Sequence, residues 1–212
     1  MTSFRTLAAA VLAASTFAAP AQAFSPIDIS TANPGWVASF GAYSGPAFRY
    51  SSGCPQAACL SISSNGYADG TLIGGASAGE FTGTWNAVLD FDVPAHEGGV
   101  QLDLQLYGVD DRATFRLNGV PLITQHRQDG DYGATLSLRG GALVMGAMNR
   151  LSVEVVNAPF FGADPVGFSF DGDGTAASFG GTVSAVPEPT TWAMMAAGVG
   201  WMLSRRRQAA QG

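Results

Sequence analysis

Apolar and polar side chains alternate one by one along several stretches of the chain. In residues 99–108, GVQLDLQLYG, valine and leucine alternate with Gln101, Asp103 and Gln105. Successive side chains of a β-strand point to opposite faces, so this pattern predicts a strand with one buried and one solvated face. The same alternation occurs in RATFRL, residues 112–117, and in RLSVEVV, residues 150–156.

Turn residues separate these stretches at short intervals. Asn118-Gly119 favours a type I′ hairpin turn, because both central residues of that turn need a positive φ. Pro121 lacks a backbone donor, which predicts that the second arm is an edge strand. Shorter candidate strands are Ala47–Tyr50, Leu60–Ser63, Thr84–Phe91, Ala134–Leu138, Val166–Phe170 and Ser178–Val183. The pattern predicts an all-β fold, an antiparallel β-sandwich over residues 24–185.

The first 23 residues have the three parts of a secretory signal peptide. Arg5 provides the positive charge, residues 7–19 form an apolar run of mostly small side chains, and Ala21-Gln22-Ala23 matches the pattern that signal peptidase cleaves. We therefore expect an N-terminal signal helix over residues 1–23 and a mature chain that begins near Phe24.

The last 27 residues also have three ordered parts. A Pro-Glu-Pro motif is followed by twelve uncharged residues, 192–203, and by a basic cluster. Twelve helical residues span about 18 Å, whereas a bilayer core is about 30 Å thick, so this hydrophobic helix is short for a permanent membrane span. The motif residues are Pro187, Glu188, Pro189, Arg205, Arg206 and Arg207.

Residues 186–212 resemble the PEP-CTERM sorting signal of Gram-negative bacteria. The resemblance implies recognition by an exosortase-type membrane enzyme, transient insertion into the inner membrane, and delivery to the cell surface or to an extracellular polysaccharide matrix. The chain is thereby divided into a signal peptide (1–23), a β-sandwich domain (24–185) and a sorting signal (186–212).

A second resemblance concerns the middle of the chain. The runs DFDVP, VDDRATFRLNGV and LVMGAMNRLSVEVVNAP are similar to the core of jelly-roll domains in PEP-CTERM proteins, and to galactose-binding-like modules. This resemblance implies a jelly-roll-like sandwich, and many such modules bind sugars. The residues that match are Asp110, Asp111, Asn118, Gly119, Gly146, Asn149 and Asn157.

The predicted sandwich domain is acidic and contains both cysteines. Residues 24–185 contain 6 Arg and 15 Asp or Glu, a net charge of −9, and the chain has no lysine. Nucleic-acid binding needs a basic face, so this balance argues against it. Because an exported chain folds in an oxidising compartment, we expect a Cys54–Cys59 disulfide.

Candidate catalytic and metal-binding residues are few. Neither His96 nor His126 has metal-ligand spacing or lies near a nucleophile motif, so both are interpreted as solvated loop residues. Asp110 and Asp111 form the one candidate carboxylate pair for glycan chemistry, although a turn before a strand also explains them. The oxygen-rich turns 129–131 and 171–174 keep a structural calcium ion as an alternative, while no other cofactor is expected.

Aromatic side chains are the remaining candidates for ligand contact, because exposed rings stack on the apolar faces of sugars. Trp36 and Tyr43 lie in a Gly/Pro-rich stretch and are the candidate glycan contacts, whereas Trp85 and Tyr107 are expected to fill the core. We expect an exported, non-catalytic protein with a structural or adhesive role in exopolysaccharide. The alternatives are a carbohydrate-binding module with a defined glycan pocket and a glycan-acting enzyme.

Overall fold

The structure is a computed structural model that describes residues 24–51, 58–64, 71–75, 83–96, 98–109, 112–126, 135–157, 176–186 and 196–201. Their twelve strands form two antiparallel sheets. The strands are β1 (Ile27–Asp28), β2 (Val37–Phe40), β3 (Tyr43–Pro46), β4 (Phe48–Tyr50), β5 (Cys59–Ser61), β6 (Gly83–Val93), β7 (Val100–Val109), β8 (Arg112–Leu117), β9 (Val120–His126), β10 (Thr135–Arg139), β11 (Ala147–Asn157) and β12 (Ala177–Ala185).

The two sheets pack face to face around one core. Sheet A has the strand order β10-β7-β12-β5-β4, with β1 also paired to β12, and sheet B has the order β3-β2-β6-β11-β8-β9. From β5 to β8, each strand lies in the opposite sheet from the strand before it. The same alternation holds from β9 to β12. Four strands of each sheet, β10-β7-β12-β5 and β6-β11-β8-β9, are thus wound around one another as in a jelly roll.

The predicted all-β sandwich is confirmed, and most of its predicted strands are present. β6 to β12 overlap every alternating stretch and every shorter candidate after residue 83 except Val166–Phe170, which lies outside the described residues. β9 lies at an edge of sheet B, as Pro121 indicated. Asn118 and Gly119 have φ of 50° and 82°, which confirms the predicted hairpin turn.

Phe179 of β12 lies at the centre of the core, between the two sheets. Its ring is perpendicular to that of Trp36, with centroids 5.5 Å apart, and to that of Phe115 on β8, with centroids 5.1 Å apart. All three side chains are buried. Edge-to-face aromatic pairs add to the free energy that burial of their apolar area provides. Phe179 therefore joins sheet A to sheet B.

The segment before β2 tethers Trp36 in this core. The indole nitrogen of Trp36 donates a hydrogen bond to the carbonyl oxygen of Ser30 at 2.8 Å, which satisfies its polar atom on burial. The hydroxyl of Thr31 donates to the carbonyl oxygens of Ala58 and Phe179, at 2.7 and 3.1 Å. These bonds close the core beside β12 with a segment that has little regular secondary structure.

The side chain of Asn149 connects several of the residues that resemble those of jelly-roll domains. Its side chain is buried at the start of β11, where its Oδ1 accepts hydrogen bonds from Nδ2 of Asn118 and from the backbone N–H of Val144, both at 2.8 Å. Asn118 in turn accepts a bond from the backbone N–H of Arg150 and donates one to the carbonyl of Ala142. The Asn-Gly turn and the later Asn thus form one structural connection between hairpin β8–β9 and β11.

Both chain segments that lead to the predicted signals lie at one end of the sandwich, here named the termini end. The Val186 N–H bonds to the carbonyl of Gly99 at 3.1 Å, just before β7 begins. The Phe24 ring contacts His96, with centroids 6.0 Å apart, in the connection from β6 to β7. The β2–β3 turn pairs toward the start of β6 instead, so it lies at the opposite end, here named the far end.

Residues 196–201 are helical and exposed, and no helix among the described residues has the length and hydropathy of a membrane span. Apart from Val186, the other residues of both predicted signals, including Ala21, Ala23, Pro187, Glu188, Pro189 and Arg205 to Arg207, lie outside the described ranges. The expected signal and sorting helices therefore stay predictions.

Replacing Phe179 with alanine is expected to reduce the free energy of unfolding by about 3–5 kcal/mol, since a buried aromatic side chain is lost from between two sheets. Phe179→Leu keeps much of the apolar volume and should cost clearly less. Chemical denaturation monitored by circular dichroism measures both variants. Equal stabilities for Phe179→Ala and the unmodified chain would contradict this role.

Asn149→Ala is expected to reduce the free energy of unfolding by about 1–3 kcal/mol, because it leaves buried backbone groups without their partner. Ser152→Ala, on the same strand, is the matched control, since no hydrogen bond is seen for that side chain, and it should be nearly neutral. Thermal melts compare the two. A loss no larger than that of Ser152→Ala would show that Asn149 is dispensable.

Candidate functional site

Tyr43 presents an exposed aromatic ring at the far end of the sandwich. It follows the β2–β3 turn, is 45 % exposed, and lies against Phe40, with ring centroids 5.4 Å apart and planes tilted by 36°. The turn between them contains Gly41 with a φ of 53°, a conformation that glycine adopts without strain. The two rings form a partly exposed aromatic surface, here named the aromatic platform, of the kind that stacks on a sugar face.

Gly74 supports the platform from below. A Cβ at this position would lie 2.2 Å from a carbon of the Tyr43 ring, and the φ of Gly74 is 95°. The close approach and the backbone conformation both require glycine. Ile73, beside it, is buried and anchors the loop in the core. The ring of Tyr43 is therefore held over backbone rather than projecting freely into water.

The prediction that Trp36 contacts a glycan is wrong. Trp36 is 1 % exposed and its ring packs on Phe179, so neither face can stack on a ligand. Its Gly/Pro-rich surroundings indicated a loop, but the long-range contact with β12 places it in the core. Trp85 is buried as predicted. Tyr107 differs from the prediction, because it is only half-buried and lies on the outer face of sheet A.

The outer face of sheet A has a row of hydrogen-bonded polar side chains, here named the polar row. Gln101 donates from Nε2 to the carboxylate of Asp103 at 2.8 Å and accepts a bond from Nε of Arg139 at 2.8 Å. The hydroxyl of Ser137 donates to Asp103 at 2.5 Å. Strand pairing places these residues side by side, because Arg139 is opposite Gln101 and Ser137 is opposite Asp103. The row is a continuous set of hydrogen-bonded donors and acceptors along β7 and β10.

Tyr107 continues the polar row toward the far end. Its hydroxyl donates to Oε1 of Gln105 at 3.2 Å, and the tip of its ring lies over Gly180 of β12. A Cβ on Gly180 would be 2.8 Å from the Tyr107 hydroxyl oxygen, so the glycine gives the ring room to lie along the sheet. A flat ring beside planar amide groups is an arrangement that can bind the polar edge and the apolar face of a sugar.

Two of the four glycine doublets in the sequence lie at these sites. They are Gly74-Gly75 and Gly180-Gly181. In each doublet the first glycine lies against a tyrosine ring. A glycine inside a strand indicates that another group approaches its backbone closely. For Gly180, the pairing of β12 with β7 shows that this group is the ring of Tyr107.

One ion pair with altered pKa values lies on the outer face of sheet B. Arg150 donates two hydrogen bonds to Asp90, at 2.7 and 2.8 Å, and they hold the pKa of Asp90 below its usual value of 3.8. The contribution of this pair to stability is therefore present at neutral pH and is lost as the pH falls through the lowered pKa. Both side chains are well exposed, so solvent screening keeps the contribution small.

His96 lies in a loop as the sequence predicted, whereas His126 is the last residue of strand β9 rather than a loop residue. Nδ1 of His96 accepts a hydrogen bond from the N–H of Gly98 at 2.9 Å in the β6–β7 connection, and His126 is exposed at the end of β9. His96 is half-buried rather than fully solvated, because Phe24 covers it. Among the described side chains, no three of His, Cys, Asp or Glu are grouped as metal ligands.

Several predicted residues lie outside the described ranges. These are Asp110 and Asp111, the turns 129–131 and 171–174, and Cys54. Cys59 is buried at the start of β5 and is disulfide-bonded. The chain has one other cysteine, Cys54, so the Cys54–Cys59 pairing stays the predicted one.

Similarity to known proteins was found among solved structures alone. No family model and no curated protein matches the chain. Among solved structures, it is similar to a β-glucuronidase from Ruminococcus gnavus in complex with D-glucaro 1,5-lactone, at 14 % identity and a TM-score of 0.43. It is also similar to an FMN-binding β-glucuronidase from Facaelibacterium prausnitzii L2-6, at 18 % identity and a TM-score of 0.44.

These similarities cover 77 % and 75 % of this chain, but the chain spans only 29 % and 22 % of the two proteins. Similarity at this level supports no inference about the fold or the activity of this chain.

Gly74→Ala is expected to displace the Tyr43 ring, because the new methyl group would overlap with it. Gly75→Ala is the matched control: its φ of 85° gives a comparable backbone cost, but nothing lies within 4 Å of its Cβ position. The exposure of Tyr43, measured by the rate of tyrosine nitration, should rise in Gly74→Ala and stay unchanged in Gly75→Ala. Equal rates in both variants would show that Gly74 does not position the ring.

Proposed function

We propose that this chain is an exported, non-catalytic protein of the cell surface or extracellular matrix with an adhesive role toward exopolysaccharide. Residues 1–23 direct export and are removed by signal peptidase. The tail from Pro187 to Arg207 is recognised by an exosortase-type enzyme after transient insertion into the inner membrane. The support for this part of the proposal is the order of sequence features at the two ends of the chain.

The position of the aromatic platform carries the adhesive part of the proposal. Tyr43 and Phe40 lie at the far end of the sandwich, opposite the end from which the tail leaves at Val186. While the tail is inserted, the protein would therefore direct the platform away from the membrane, toward the polysaccharide. Stacking of exposed rings on sugars, repeated over many copies of the protein, gives adhesion without a deep pocket.

A second candidate function is that of a carbohydrate-binding module with a defined glycan site. The polar row favours it, because hydrogen bonds already orient Gln101, Asp103 and Arg139 before any ligand binds. Preorganised polar groups lose little conformational entropy on binding, which favours recognition of one sugar pattern. This site would bind along the face of sheet A rather than at its far end.

Tyr43→Ala is expected to weaken binding of the full chain to exopolysaccharide from the native host by about tenfold, which corresponds to about 1.4 kcal/mol. Val37→Ala is the matched control, since it removes another exposed apolar side chain of sheet B that lies outside the platform. Co-sedimentation with the polysaccharide measures the affinities. Unchanged binding by Tyr43→Ala would contradict the adhesive role of the platform.

Gln101→Ala distinguishes the second candidate. If the polar row binds a defined glycan, this variant loses saturable binding to that glycan on an array, whereas Tyr43→Ala keeps it. If the platform is the adhesive surface, Gln101→Ala binds as the unmodified chain does.

A further inference from the structure

Four of the eight large apolar side chains that are exposed among the described residues surround the Asn118–Asn149 connection. Met148, the most exposed at 63 %, lies on β11 directly before Asn149. Val120 follows the Asn118-Gly119 turn. Val144, whose backbone bonds to the Asn149 side chain, and Met145 lie in the loop before β11. We name these four side chains the apolar cap.

The apolar cap lies at the termini end of the sandwich. Ala147 pairs with Val93 at the ends of β11 and β6, and Gly146 donates to the Val93 carbonyl at 2.8 Å. The connection from β6 to β7 begins there and contacts Phe24 through His96, while its last residue, Gly99, accepts the bond from Val186. The cap therefore lies at the end where the sandwich joins both the signal peptide and the tail.

The tail is too short to hold this end far from a membrane. Five residues separate Val186 from Trp192, where the uncharged run begins. Six Cα–Cα steps span at most about 20 Å even when fully extended. The headgroup region on each side of the hydrocarbon core is itself about 5–8 Å thick. When the run enters the bilayer, the termini end must therefore lie at or near the membrane surface.

The described residues leave the cap largely uncovered. Its four side chains are 45–63 % exposed. No member of the cap is ionisable. Asp92 lies opposite Met148 in the strand pairing, and the Arg150–Asp90 ion pair lies on the same outer face of sheet B, so charged groups border the cap and favour shallow contact with lipid over deep insertion.

We propose that the apolar cap is a membrane-docking surface that contacts the lipid bilayer while the tail is inserted. This inference rests on the proposed function, since it requires the tail to enter a membrane. Val120, Val144, Met145 and Met148 would enter the region between headgroups and acyl chains, where apolar side chains gain free energy by leaving water. Docking would hold the sandwich upright, with Tyr43 pointing away from the membrane, and would present residues 187–189 at the surface where a membrane enzyme acts.

The test uses spin labels on the full chain, reconstituted in vesicles of phosphatidylethanolamine and phosphatidylglycerol. Three single variants are labelled without reductant: Met148→Cys in the cap, Ala42→Cys in the exposed β2–β3 turn at the far end, and Gly198→Cys in the tail. The unmodified chain, in which Cys59 is held in a disulfide, controls for labelling of native cysteines. Electron paramagnetic resonance compares collisions of each label with oxygen, which enters the bilayer, and with a nickel chelate, which stays in water.

The proposal predicts that the labels at 198 and 148 both favour oxygen, the first more strongly, while the label at 42 favours the nickel chelate. If 198 is in the bilayer but 148 matches 42, the cap does not dock, and the inference fails while the proposed sorting stands. If 198 is in water, both fail. Dipolar broadening between labels at 148, in vesicles or in detergent, would show that a second copy covers the cap and would overturn membrane docking.

Discussion

Each sheet of this protein has one apolar inner face. The two inner faces meet where Phe179 contacts Trp36 and Phe115. Burial of this apolar area is the main favourable term in folding. The contact also fixes the surroundings of the core. The carbonyl of Ser30 accepts the hydrogen bond of the Trp36 indole, and the hydroxyl of Thr31 donates to the carbonyl of Phe179, so the segment before β2 is held against β12. With both inner faces covered, only outer faces and ends are left for function.

The sandwich places different chemistry on those remaining surfaces. The far end has the aromatic platform, the outer face of sheet A has the polar row, and the termini end has the apolar cap. The jelly-roll winding brings residues distant in sequence, such as Phe24, Val120, Met148 and Val186, to the same end. The proposed functions follow from this separation, because a chain that is tethered at one end while its tail is inserted directs the other end outward.

Sequence reasoning predicted the strands that alternate and missed those that do not. β6 to β8 and β11 could be predicted from the sequence because each has a buried side chain at nearly every second position. β1 to β3 have two to four residues, and their side chains do not alternate between buried and exposed, so only pairing with longer strands defines them. Tyr107 could have been placed correctly, since alternation puts it on the face of Gln105. Trp36 could not, because its burial depends on a contact 143 residues away in sequence.

The account depends most on the claim that the working protein is the sandwich alone, with both ends of the chain serving as signals. The intact mass of the protein recovered from the surface or matrix of its native host tests this claim directly. The account predicts a mature chain that begins near Phe24 and ends between Pro187 and Pro189. A mass that includes Arg205, Arg206 and Arg207 would contradict it, because the tail would then be a retained part of the protein.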